Sequence, residues 1–189
     1  CILLGLGMPT SAAYLIVALL VAPTYISQFA VPELASHFFV FYAASLATIT
    51  PPIATGIVVA AGIAGANFWS TASKALQMSV HLFLLPVMFI YNPQTISATI
   101  SVELLVSGAL GTIGAVGIIY GLNKPRFEIR VPYRRIMQGL YVAGGTVTMV
   151  HPNQIFRAAA LVFLIVVFLA ERQSSSLPVI LIEPERSEG

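Results

Sequence analysis

Apolar stretches fill most of this chain, and two of the short segments that interrupt them are polar but uncharged. The first covers residues 5–11 (Gly-Leu-Gly-Met-Pro-Thr-Ser), and the second covers residues 48–52 (Thr-Ile-Thr-Pro-Pro). Glycine and proline interrupt helices, and broken helices persist at membrane depth only inside protein or beside a cavity. The pattern therefore predicts two helix breaks that together bind a small ion or polar solute.

The apolar stretches beside these breaks have unusual lengths. Residues 12–21 give about three helical turns, whereas a transmembrane helix needs about 20 residues, so we expect the returning arm of a re-entrant hairpin. Residues 34–69 carry no charge and are longer than one span. Pro51 and Pro52 remove two consecutive N–H donors from this stretch. We therefore predict a discontinuous, broken transmembrane helix with two half-helices around an unwound centre.

Four further apolar stretches complete the predicted fold, at residues 76–91, 104–122, 136–150 and 156–170. The chain has 189 residues, of which 58% are hydrophobic and 8% are charged. Soluble domains carry about 25% charged residues, so the composition indicates an all-α, polytopic integral membrane protein.

The positions of the basic residues predict the orientation in the membrane. Residues 123–135 hold five of the nine Lys and Arg residues, and the positive-inside rule places this loop in the cytoplasm. Arg157 then lies near the outer face, where we expect its side chain to snorkel to the lipid headgroups. The chain begins inside an apolar run without an initiator Met, so we expect it to be the C-terminal part of a longer polypeptide.

Both breaks offer the ligands that a hard cation prefers. Unwound backbone exposes carbonyl oxygens, Thr and Ser add hydroxyls, and the C-terminal ends of half-helices add partial negative charge. The N-terminal ends of the following half-helices are suited to a solute carboxylate. The candidate cation- and solute-binding residues are Gly5, Gly7, Met8, Pro9, Thr10, Ser11, Thr48, Thr50, Pro51, Pro52 and Thr55, with Thr10, Thr48 and Thr50 as candidate Na⁺ ligands.

A simpler interpretation exists for each feature taken alone. A single Gly or Pro break is often only a kink, and a Thr hydroxyl commonly bonds back to a helix carbonyl. His37 and His81 lie in apolar helices, where a structural role is the commoner one and proton coupling is the alternative. No acid–base or nucleophilic pair is visible, which disfavours an enzyme, and the length and setting of the basic loop argue against nucleic acid.

The same residues resemble a known family. Residues 5–14 (Gly-Leu-Gly-Met-Pro-Thr-Ser-Ala-Ala-Tyr) are similar to the second hairpin of the large membrane subunit of TRAP (tripartite ATP-independent periplasmic) transporters. Residues 37–42, 49–52 and 61–67 resemble the fused-permease branch, which usually works with a TAXI-type periplasmic binding protein. The similarity extends to about residue 92, and residues 93–172 resemble the extra C-terminal helices of fused permeases.

The resemblance implies an elevator-type secondary transporter in the bacterial or archaeal inner membrane. Such a permease imports a small organic acid, delivered by the binding protein, together with Na⁺ or, as the alternative, H⁺. Gly7, Met8, Pro9 and Thr10 would form the tip of the second hairpin, and residues 48–52 would complete the second sodium site. The upstream remainder of the chain would carry the first hairpin, and no cofactor besides the coupling ion is expected.

We therefore predict three parts: a transport core at residues 1–92, accessory transmembrane helices at residues 93–172 and a cytoplasmic tail at residues 173–189. Three alternatives stay open on the residues alone. They are another ion-coupled carrier with broken helices (citrate or arsenite type), a channel with a re-entrant loop, and a membrane scaffold with structural kinks. A channel would conduct without a binding protein, and a scaffold would tolerate Val at Thr10 and Thr50.

Overall fold

The computed structural model describes residues 1–97, 99–123 and 131–175, without the side chains of residues 131–134 and 173–175. All regular secondary structure in these ranges is helical. Residues 124–130 of the predicted basic loop, and the tail beyond residue 175, lie outside the described residues. The helices are α1 (Ile2–Gly5), α2 (Thr10–Phe29), α3 (Glu33–Leu46), α4 (Thr55–Ala64), α5 (Phe68–Tyr91), α6 (Val102–Asn123), α7 (Val131–Val150) and α8 (Gln154–Ser175), with 3₁₀ turns at Ala47–Ile49 and Pro93–Ile96.

Within the part of the chain that the structure describes, four helices are long and apolar enough to cross a membrane: α2, α5, α6 and the Gln154–Arg172 part of α8. Their surfaces expose large apolar side chains, such as Leu19 of α2 (77% exposed) and Leu105 of α6 (60% exposed). Apolar side chains on the outside of a helical fold are expected where lipid takes the place of water. The predicted class, an all-α membrane protein with several spans, is therefore confirmed.

Helix α2 is longer than the sequence indicated. The prediction of a three-turn arm at residues 12–21 is wrong, because the helix continues through Pro23 to Phe29. One proline inside a membrane helix removes one backbone hydrogen bond, and the surroundings can compensate for it. Helix α2 ends at Ala30, whose backbone is left-handed (φ 52°). With 20 residues α2 is long enough to cross a bilayer, so its length no longer argues for a re-entrant arm.

Helices α3 and α4 are both too short to span a membrane alone. Helix α3 has 14 residues and α4 has 10, and non-helical residues 50–54 lie between the 3₁₀ turn Ala47–Ile49 and α4. Pro51 and Pro52 cannot donate the N–H groups that would extend α3. Ala54, directly before α4, has a left-handed backbone (φ 42°). The interruption that the sequence predicted here thus has a backbone cause.

Helix α5 links the N-terminal and C-terminal helices. Asn67 caps it by accepting the N–H of Trp69, so the helix begins before the apolar stretch at residues 76–91. On one side α5 packs on α3, where the Phe89 ring contacts the ring of Tyr42 at a centroid distance of 5.4 Å. On the other side α5 packs on α6 and α7, and Gln77 donates to the Leu122 carbonyl of α6.

Helices α6, α7 and α8 form a closely packed C-terminal bundle. A Cβ built on Gly114 of α6 would lie 2.6 Å from the Gly145 carbonyl oxygen of α7, and the reverse distance is also 2.6 Å. Small residues of this kind allow helices to approach closely in lipid. Arg157 of α8 lies inside this bundle with 0% exposure. The prediction that it snorkels to the headgroups is therefore wrong, because its guanidinium finds oxygen partners within the protein.

Candidate functional site

The first break joins α1 to α2 through residues 6–9. Gly7 has φ +77°, a conformation that side chains other than glycine rarely adopt. The turn is closed by a hydrogen bond from the Met8 N–H to the Gly5 carbonyl (3.4 Å). Helix α2 begins after Pro9 without a side-chain cap. The first N–H groups of α2 therefore have no intrahelical partner, and they lie beside the break.

The second break carries two threonine hydroxyls that bond back to α3. Thr48 Oγ1 donates to the Ser45 carbonyl (2.8 Å), and Thr50 Oγ1 donates to the Leu46 carbonyl (2.7 Å). These are the local bonds that the simpler interpretation of each threonine assigned to it. A hydroxyl has one donor and two acceptor lone pairs, so both oxygens can still coordinate a cation while they donate.

The structure brings the two breaks into contact. A Cβ built on Gly5 would lie 3.1 Å from the Ala47 Cβ, in the 3₁₀ turn that leads into the second break. A Cβ built on Gly7 would lie 3.2 Å from Cδ1 of Ile53. Glycine at these two positions therefore allows the first break to pack directly on the second.

The two breaks contact each other at glycine residues and not at hydroxyl groups. Within the described residues, no side-chain hydrogen bond joins the first break to the second. The predicted residues differ in exposure: Gly5 is buried; Met8, Thr10, Thr48, Thr50 and Pro51 are half-buried; Gly7, Pro9, Ser11, Pro52 and Thr55 are exposed.

Helix ends of opposite polarity meet at the breaks. Helix α3 directs its C-terminal end, with partial negative charge, at the second break. The carbonyl of Thr48 cannot accept from residue 52, because proline has no N–H, and a Cβ built on Gly56 would lie 3.2 Å from this oxygen. Helix α4 begins after Ala54 without a side-chain cap, so its N-terminal end presents partial positive charge. The same region thus combines carbonyl oxygens with free N–H groups.

Some residues near the breaks escaped the sequence reasoning. Ala47 and Ile53, which contact the first break, carry no polar signal and were not singled out. Tyr14, one turn after Thr10, places its hydroxyl 3.1 Å from Nδ1 of His37 and so joins α2 to α3. The spacing of Thr10 and Tyr14 on one helical face was the available signal.

His81 of α5 has a buried Nδ1 without a hydrogen-bond partner among the described residues.

One cleft of the structure lies elsewhere. It has a volume of about 410 Å³ and lies between α1, α3 and α5, with Ile2, Leu46 and Phe83 among its lining residues. None of the predicted site residues lines this cleft. Among the described residues, no group of three or more His, Cys, Asp or Glu side chains is arranged to hold a metal ion. Residues 5–11 and 48–52 contain no Asp or Glu, so a cation held by these residues would be coordinated by neutral oxygens.

A family of known proteins matches the N-terminal half of the chain. The sequence model of the DctM component of the tripartite ATP-independent periplasmic transporter matches residues 1–95, which include both breaks and the whole of α5. No match was found among curated proteins or among solved structures.

Proposed function

The chain belongs to the DctM family of TRAP transporter components, since residues 1–95 make up half of its 189 residues, and on this premise we propose that it imports a small organic acid together with Na⁺. A DctM component is the membrane permease of a secondary transporter and not an enzyme. It works with a periplasmic solute-binding protein that supplies a small solute.

The helices around the breaks form the moving part of the transporter in this proposal. Helices α1 and α2 form the second hairpin of an elevator-type carrier, with Gly7 at its tip. Helices α3 and α4 make one discontinuous crossing, because neither is long enough alone. Residues 1–92 form the transport core and residues 93–172 the accessory helices, in a bacterial or archaeal inner membrane. The remainder of the permease lies upstream.

The contact between the two breaks is the observation that supports a cation site most directly. Gly5 packs on Ala47, and Gly7 packs on Ile53, so the two breaks contact each other. Unwound carbonyls, hydroxyl oxygens and a helix C-terminus together suit Na⁺. We propose Thr10, Thr48 and Thr50 as its side-chain ligands.

The uncapped starts of α2 and α4 support binding of an anionic solute. Both helices lack side-chain caps, so their first N–H groups are available to a carboxylate without any Lys or Arg. A cation and an anion held side by side also reduce the electrostatic penalty of entering the membrane. We propose that a TAXI-type binding protein delivers the acid, because residues 61–67 resemble the fused permeases that usually work with such proteins.

Uptake measurements with matched threonine variants test the cation site. The complete permease and its binding protein are reconstituted in liposomes, and solute uptake is measured under an imposed sodium gradient. We expect Thr50→Val to raise the sodium concentration for half-maximal uptake on the order of tenfold, or about 1.4 kcal/mol. Thr50→Ser keeps the hydroxyl and should stay near wild type.

Thr112→Val in α6 is the control, since the Thr112 hydroxyl makes the same type of local bond to the Gly108 carbonyl (2.9 Å) far along the chain from both breaks. If Thr50→Val and Thr112→Val behave alike, the breaks are structural kinks. Uptake driven by a pH gradient and not by sodium would assign H⁺ as the coupling ion. Conduction without the binding protein would support a channel.

A further inference from the structure

Arg157 of α8 is completely buried and donates hydrogen bonds to three other parts of the chain. Its Nε donates to the Thr148 carbonyl of α7 at 2.8 Å. Its Nη1 donates to Asn92 Oδ1 at 2.9 Å and to Ser107 Oγ of α6 at 2.6 Å. Its Nη2 donates to the Ser107 carbonyl at 2.9 Å. We call Arg157, Asn92, Ser107 and Thr148 the arginine cluster.

Every partner in the arginine cluster is a neutral oxygen. Asn92, Ser107 and Thr148 are each 0% exposed, like Arg157 itself. Within the described ranges no carboxylate forms an ion pair with this guanidinium. A buried charge without a counter-ion persists only when its donors are satisfied by well-placed dipoles. The four oxygens must therefore keep their positions around the guanidinium.

The cluster lies where the C-terminal bundle meets α5. Asn92 directly follows the last residue of α5, and its Nδ2 also donates to the Val150 carbonyl at the end of α7 (3.0 Å). Asn92 belongs to the family-matched residues 1–95, whereas Ser107, Thr148 and Arg157 all follow them. The arginine cluster thus joins the family core to helices that lie outside the family match.

A second attachment point lies in the N-terminal half of α5. Gln77 donates to the Leu122 carbonyl of α6, about 22 Å from Asn92 at 1.5 Å per helical residue. Between these points, the Met88 side chain occupies the space next to Gly111 of α6. The C-terminal bundle therefore holds α5 from Gln77 to its C-terminal end, with a polar contact at each end of this segment.

We propose that the arginine cluster fastens α6, α7 and α8 to α5, so that the C-terminal helices move with the site-bearing helices during transport. If the bundle were a fixed support, α5 would have to slide along it and remove the guanidinium from its oxygens inside the membrane. Parting an apolar interface in lipid has a much smaller penalty, because lipid tails replace the lost contacts. The attachment itself is independent of the proposed function, whereas the movement depends on it.

Disulfide cross-linking during uptake tests the movement. In a full-length permease with Cys1→Ser, Met88→Cys and Gly111→Cys place a cysteine pair across the α5–α6 contact. We expect oxidised protein to keep uptake within about twofold of the reduced protein, because the two helices do not separate. The control pair Gly117→Cys and Leu164→Cys links α6 to α8 inside the bundle. A Cβ built on Gly117 would lie 3.3 Å from Cδ1 of Leu164.

The proposal would be overturned if oxidation stops uptake by the variant with the 88–111 pair, but not by the control variant, and reduction restores it. Such a result would show that α5 moves against the bundle. Retained uptake with both pairs supports it. Absence of uptake in the reduced, complete system would instead contradict the proposed transport function.

Spin-label distances test the attachment without any transport. Labels at the exposed positions Lys74 of α5 and Ile165 of α8 should give one narrow distance distribution in the full-length protein. We expect Arg157→Gln to broaden that distribution, while Arg172→Gln, at an exposed position on the same helix, leaves it unchanged. An unaltered distribution in Arg157→Gln would show that the arginine cluster is not the fastening.

Discussion

Two polar regions interrupt the apolar interior of this protein, and they use their oxygens in opposite ways. At the breaks, the hydroxyls of Thr48 and Thr50 bond to carbonyls three and four residues earlier in the chain. In the arginine cluster, Arg157 reaches Ser107 and Asn92 across 50 and 65 residues. The bonds at the breaks are local, whereas those of the cluster join separate helices.

This difference distinguishes the proposed binding site from a structural joint. Glycine and proline at the breaks leave carbonyl oxygens and N–H groups without helical partners, so they remain available to a ligand. The guanidinium of Arg157 instead occupies the oxygens around it, and these oxygens hold the bundle together. A polar residue at membrane depth therefore indicates a site only where its hydrogen-bonding capacity is left open.

The largest predicted effect concerns the stability of the joint. Arg157→Met should lower the free energy of unfolding by about 3–5 kcal/mol, because the buried oxygens of Asn92 and Ser107 lose their short bonds to the guanidinium and keep only the long bonds from Gln94 Nε2 (3.4 and 3.5 Å). Arg172→Met, at an exposed position of the same helix, should change it by less than about 0.5 kcal/mol. Denaturant titration of the full-length permease in mixed micelles measures both variants.

A triple variant sharpens this comparison. Replacing Arg157, Asn92 and Ser107 together by Met, Leu and Ala removes the guanidinium and its two side-chain acceptors and leaves only the Thr148 and Ser107 carbonyls without their donor, so part of the lost stability should return. Equal losses in the Arg157→Met and triple variants would mean that packing, and not hydrogen bonding, holds the joint.

Helix packing inside the bundle gives the next largest effect. Gly114→Ala should destabilise the protein by about 1–3 kcal/mol, because the added methyl would lie 2.6 Å from the Gly145 carbonyl. Gly108→Ala on the same helix is the control, since a Cβ there meets no atom within 4 Å. The same titration measures both. If the two variants are equally stable, α6 and α7 are less closely packed than the structure shows.

Much of the fold could be predicted because apolar length and helix breakers act locally. The apolar stretch at residues 104–122 predicted both ends of α6 to within two residues. Pro51 and Pro52 predicted the interruption after α3. The full length of α2 was not predicted, because the apolar stretch at residues 12–21 ends before Pro23, although membrane helices tolerate proline.

The arginine cluster could not be predicted from local pattern, since its partners lie on separate helices and only folding brings them together. A charge inside an apolar helix usually faces the interior of a bundle, and this rule was the available signal for Arg157. At the breaks, sequence identified the polar residues but not the apolar side chains of Ala47 and Ile53 that complete the contact.

The smallest effect concerns two glycines near the site. Gly7→Ala should lower stability by about 1–2 kcal/mol, since alanine is strained at φ +77° and its methyl would press on Ile53 at 3.2 Å. Gly62→Ala, inside α4 with no atom within 4 Å of its Cβ, should raise stability by up to about 1 kcal/mol. If the breaks form the site, Gly7→Ala also lowers sodium-driven uptake more than its stability loss explains, while Gly62→Ala leaves uptake unchanged. Equal uptake by both variants would place transport chemistry away from the first break.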